Sequence, residues 1–86
     1  MGADALAQIK EWLADEIENR KLFIQTLKDG DGDAGMLADK EAALANFEKA
    51  LAAAAVSVES LEAFMAAQTG NPRGAVLNKM WASLKD

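Results

Sequence analysis

Between Leu37 and Met65 the apolar positions recur at alternating intervals of three and four: Leu37, Leu44, Phe47, Leu51, Ala54, Val58, Leu61 and Met65, with Lys40 breaking the series near its start. A three-four alternation places one narrow stripe along a single side of an α-helix, the seam of a coiled-coil-like packing. An earlier stretch repeats the pattern. Leu6, Ile9, Leu13, Ile17, Ile24 and Leu27 fall on one face at about 100° per residue, and Trp12 and Phe23 flank it. Leu22 lies on the opposite side. Arg20 sits inside the stripe, with Glu16 one turn before it as an i,i+4 partner.

The punctuation between these stretches sets the element boundaries. A first helix is expected at about 3–28, with Asp4 as N-cap or first-turn acid at the positive helix end. Residues 29–35, with three aspartates and three glycines, form a loop. A second helix, rich in Ala, Leu, Glu and Lys, is expected at about 36–68, on the order of 45 Å long. Thr69, Gly70, Asn71 and Pro72 make a turn (69–72), with Asn71 as cap and Pro72 in the first position of the next helix. That short third helix is expected at about 73–85, weakened by Gly74, with Val76, Leu77, Met80, Trp81 and Leu84 as its apolar side.

The short loop predicts antiparallel neighbours. Folding the chain about Gly32 sets Leu27 opposite Leu37, Ile24 opposite Lys40, Arg20 opposite Leu44, Ile17 opposite Phe47, Leu13 opposite Leu51 and Leu6 opposite Val58. The two stripes then coincide, and Glu48 comes near Arg20. The first helix runs out near Leu61, which leaves Leu61, Phe64 and Met65 overhanging. The third helix can fold back there, Met65 meeting Val76 and Leu61 meeting Met80. The expected fold is all-α: an antiparallel helical hairpin of two long helices plus a short C-terminal helix, a three-helix bundle in one copy or a four-helix-type bundle on dimerisation.

The second helix carries another apolar side: Ala38, Ala45, Ala52, Val56, Ala63 and Ala67. Small residues let a neighbouring helix approach at the short end of the usual ~8–10 Å axial distance. The plain alternative is a solvated face chosen for helix propensity. The candidate interaction residues are Ala45, Ala52, Val56, Ala63 and Phe64, with Trp12 and Trp81 added because tryptophan is enriched in binding hot spots and also fills small cores.

Composition narrows the chemistry. The chain has 86 residues, which is a single-domain length (1–86), and it carries neither cysteine nor histidine. Disulfides, zinc–thiolate sites and histidine-based catalysis are therefore excluded. Nineteen alanines inflate the 51% hydrophobic content, so the buried area per residue is modest. Ser57, Ser60, Ser83, Thr26 and Thr69 have no standard base to activate them. No enzymatic activity and no cofactor are expected. The glutamates Glu59, Glu62, Glu41 and Glu48 lack the histidines of a di-iron site and read as a solvated face.

A net charge of −5 argues against direct nucleic-acid binding. The start, Met1 to Asp4, shows no basic segment before an apolar run, and the apolar run 50–58 is too short for a membrane span, so cytoplasmic residence is the default. Asp29, Asp31 and Asp33 hold the first, third and fifth places of a calcium loop and look like the opening of an EF-hand. The likeness then fails. Ala34 stands where glycine belongs and Lys40 where the bidentate glutamate belongs. These aspartates are weak metal candidates, and a solvated turn is the simpler reading.

Three functions are expected from these features. The first is a non-enzymatic interaction module, a small adaptor, assembly or regulatory protein that binds a protein partner or itself, as a homodimer. The second is an acidic inhibitor that covers a basic or nucleic-acid-binding surface of its target. The third is a calcium-responsive helical protein. Small alanine-rich acidic chains of this kind are associated with bacterial and phage accessory proteins.

Overall fold

The computed structural model describes residues 2–30, 32–68 and 74–85. Among them are four helices and no strand: α1 (Gly2–Asp29), α2 (Ala34–Val56), α3 (Val58–Ala67) and α4 (Ala75–Lys85). The expected turn from Thr69 to Pro72, including the Asn71 cap, and the start of the expected third helix at Arg73 lie outside the described residues, as does Asp31.

α1 runs unbroken, with Asp4 in its first turn and Lys28 in its last, each favourable to the helix dipole. Its end is set by backbone closure. The Gly30 N–H donates to the Thr26 carbonyl at 3.0 Å, and the Gly32 N–H reaches back to the Leu27 carbonyl at 2.9 Å, a six-residue closure of the Schellman type. A Cβ at Gly32 would lie 2.9 Å from both the Leu27 carbonyl oxygen and the Leu27 Cδ2, so only glycine fits this turn. Asp33 then caps α2, its Oδ1 accepting from the Gly35 N–H at 2.7 Å. The loop is thus shorter than the expected 29–35, because Asp29 closes α1 and Ala34 opens α2.

The long second helix expected at 36–68 is two helices. Ser57 adopts an extended conformation (φ −172°, ψ 166°) and serves as C-cap of α2 and N-cap of α3. Its N–H still donates to the Ala53 carbonyl (3.3 Å), its own carbonyl accepts from Leu61 (3.1 Å), and its Oγ accepts from the Ser60 N–H (3.0 Å). The break resolves the overhang. With the break, Leu61 (0% exposed) and Met65 (4%) are buried in the same cluster as Ala5, Ile9 and Leu13 of α1.

That cluster is the core. It joins Ala5, Ile9, Leu13 and Ile17 of α1, Phe47, Ala50 and Ala54 of α2, Leu61 and Met65 of α3, and Leu77 and Trp81 of α4. α1 packs along α2. Lys28 pairs with Glu41, Phe23 meets Lys40, and Arg20 and Trp12 both meet Phe47. α4 lies against α1. It turns Leu77, Trp81 and the half-buried Leu84 inward (i, i+4, i+7), while Val76 stays exposed. The expected pairing of Met65 with Val76 is thereby replaced: Met65 shares a groove with Asn78 and Trp81. The reason is that α4 packs on α1, which turns Leu77 and Trp81 inward and leaves Val76 at the edge.

Gly74 also departs from expectation. It precedes α4, is buried, and a Cβ there would stand 2.6 Å from the Gln68 Cβ. It is a packing residue where α3 ends and α4 begins, not a flaw in a helix turn.

Candidate interaction surface

The most specific side-chain constellation lies across α1 and α2. Phe47 is 1% exposed; the Trp12 ring sits 5.6 Å from it at 42°, and the Arg20 guanidinium lies 4.0 Å above its centroid. Arg20 also donates to the Glu16 carboxylate and, at 3.3 Å, to the Glu16 carbonyl. The arginine inside the apolar stripe is thus held by its i,i+4 glutamate and by an aromatic face, while Glu48 is exposed. This arrangement fixes α1 against α2. Its groups are turned on one another, so it is structural. Trp12, half-buried, is partly committed to it.

Trp81, 3% exposed, lies in the core cluster, which is the core-filling alternative of the two expected for it. Phe64 is half-buried and packs against the core. Ala45, Ala52, Val56 and Ala63 are exposed. Among the described residues Val56, at 75%, is the most exposed large apolar side chain. The break at Ser57 divides the expected continuous face: Ala38, Ala45, Ala52 and Val56 stay together on α2, whereas Ala63 and Ala67 belong to α3. Lys49, also exposed, falls on the α2 part between Ala45 and Ala52 by helical spacing. Its stem can lie along the alanines with the ammonium in water.

Two further surface features emerge only in three dimensions. Leu22, Phe23 and Met36 are exposed near the α1–α2 turn, and the Lys40 ammonium stands 5.6 Å from the Phe23 ring. A shallow groove of about 230 Å³ on α1 is lined by Gln8, Glu11, Trp12 and Asp15, an indole beside two carboxylates. The i,i+4 spacing of Gln8, Trp12 and of Glu11, Asp15 is visible in the sequence, but not that Trp12 keeps an edge outside.

Two aspartates of the acidic loop are engaged within the chain. Asp29 accepts from the Gln25 side chain at 3.0 Å and Asp33 caps α2. Among the described residues no three ligating side chains come together. Nor is any helix among them long and apolar enough to cross a membrane. The Asn46 Nδ2 is buried without a hydrogen-bond partner, a desolvation cost of about 1–3 kcal/mol that an apolar side chain of its shape would avoid. No known protein family, curated protein or solved structure matches the chain.

Proposed function

We propose that this chain is a non-enzymatic protein–protein interaction module that works through its apolar helix faces and associates with a second copy of itself. In this reading α1 and α2 form an antiparallel hairpin closed by α4, a three-helix bundle that becomes a four-helix-type bundle on dimerisation. The observation that carries it is the outer side of α2. Its inner side is buried through Phe47, Ala50 and Ala54, yet Ala45, Ala52 and Val56 remain exposed on the other. A helix apolar on two sides suits two neighbours, and here α1 supplies one.

Light scattering over a concentration series, at low and high salt, tests this. The expected result is a salt-insensitive dimer that Val56→Glu converts to monomer. A dimer indifferent to Val56→Glu and Ala52→Glu would remove the α2 face from the reading.

A second reading is an acidic module that covers a basic surface of its target. The groove of Glu11, Trp12 and Asp15 favours it, because an indole flanked by carboxylates suits an Arg or Lys side chain. Binding to a basic partner that collapses with salt and with Trp12→Ala would support this over self-association.

A further inference from the structure

We propose that Ser57 is a hinge: α2 and α3 can join into one helix there, swinging α3 and α4 out as an arm that a second copy of this chain accepts against its own α1. The proposal rests on the reading that the chain associates with itself, and supplies the route.

The break is one residue wide. The helical ladder is in step on both sides of it, since the Ser57 N–H still bonds the Ala53 carbonyl and the Ser57 carbonyl still accepts from Leu61. Closing it therefore needs the backbone of a single residue to turn from extended to helical, with no shift of register. The flanks favour this. Ala52 to Ala55 precede the break, Glu59, Leu61, Glu62 and Ala63 come after it, and the stripe of Leu51, Ala54, Val58, Leu61 and Met65 runs straight through.

Two things hold the hinge bent. One is local, the Ser57 Oγ cap on the Ser60 N–H at 3.0 Å. The other is burial of Leu61, Met65, Leu77 and Trp81 with the apolar face of α1. In an exchanged pair that burial is remade on the partner's α1, so it does not distinguish the two states. The distinction falls to the hinge and to whatever contact is new in the pair. The two hinge segments pass each other at the two-fold axis. Ala52, Ala55 and Val56, all exposed, lie on or beside this segment. They are small enough for a close helix crossing.

The experiment measures mass against concentration for four variants of the full chain, with far-UV circular dichroism to show that each is folded. Ser57→Ala removes the cap and raises helix propensity at both hinges of a pair, so the dimer should tighten at least about tenfold. Val58→Pro places proline at the first position of α3, where its missing N–H is harmless but a continuous helix is blocked. It should give a monomer, and should reverse Ser57→Ala when the two are combined. Ser57→Asp keeps a capping oxygen and should behave as the unaltered chain, which gives a reference if the proline variant does not fold. Ala45→Glu charges the α2 face away from the hinge, so it separates the two routes: it breaks a pair held by that face and leaves the hinge itself untouched. A Ser57→Ala chain with the mass of the unaltered one overturns the hinge, as does a dimer that survives Val58→Pro. A dimer lost with Ala45→Glu but indifferent to Ser57→Ala and Val58→Pro keeps the association through the α2 face and discards the exchange.

Discussion

The stacked contact between Arg20 and Phe47 can be measured as a coupling. The perturbation is a double-mutant cycle with Arg20→Met, which keeps the stem and removes the charge, and Phe47→Leu, which keeps most of the volume and removes the ring. A cation over an aromatic face contributes about 0.5–1 kcal/mol when exposed and about 2 kcal/mol when desolvated. Here the ring is buried (1%) and the arginine side chain is 29% exposed, so the coupling should fall near 1 kcal/mol. Arg20→Met also loses the pair with Glu16, which at this exposure adds only about 0.3–0.5 kcal/mol. Phe47→Leu also loses the ring pair with Trp12, worth about 0.5–1.5 kcal/mol beyond burial. These side losses belong to the single variants and cancel in the cycle. Urea unfolding followed by far-UV circular dichroism is the suitable assay, since Trp12 fluorescence would respond to the substitution itself. The double variant should be less destabilised than the sum of the singles by about 1 kcal/mol, equivalent to roughly 4–8 °C in Tm for a domain of this size. A coupling below about 0.3 kcal/mol, the limit within which independent sites add, would refute the contact.

Two other outcomes are expected from the geometry. Gly74→Ala should destabilise the fold by about 1–3 kcal/mol, because the added methyl meets the Gln68 Cβ and not a flexible side-chain end; an unchanged thermal midpoint would show that α4 tolerates displacement there. Millimolar calcium should leave the midpoint unchanged, because Asp33 is engaged as the cap of α2 and Asp29 with Gln25; a rise that is reversed by chelator would restore the calcium reading of the loop.

The helical content and the inward stripes were legible in the residue spacing, because a three-four alternation has no other economical explanation in a chain of strong helix formers. The corner at Ser57 was harder. Its signal is Val56-Ser57-Val58, two β-branched residues around a capping residue in an otherwise alanine-rich run. Propensity and the heptad both argued for continuity, and burial of Leu61 and Met65 overrode them. Trp81 could be placed on an apolar side but not at its centre, since the rotation of α4 depends on its packing against α1. The role of Gly74 and the burial of the Asn46 Nδ2 depend on tertiary packing, which no local pattern encodes.

That α4 lies against α1 has a consequence for the growing polypeptide. Synthesis proceeds from α1 towards α4, and α1 and α2 can pair in microseconds to milliseconds once both are made. The face of α1 that α4 covers stays bare until α4 itself has been made, on the order of seconds at usual elongation rates. For that interval a nascent chain offers the surface on which an arm from another chain could settle. Neighbouring ribosomes on one message would place such chains side by side, so under the exchange proposed for Ser57 the choice between closing on itself and closing on a sibling would be made during translation, by timing as much as by affinity.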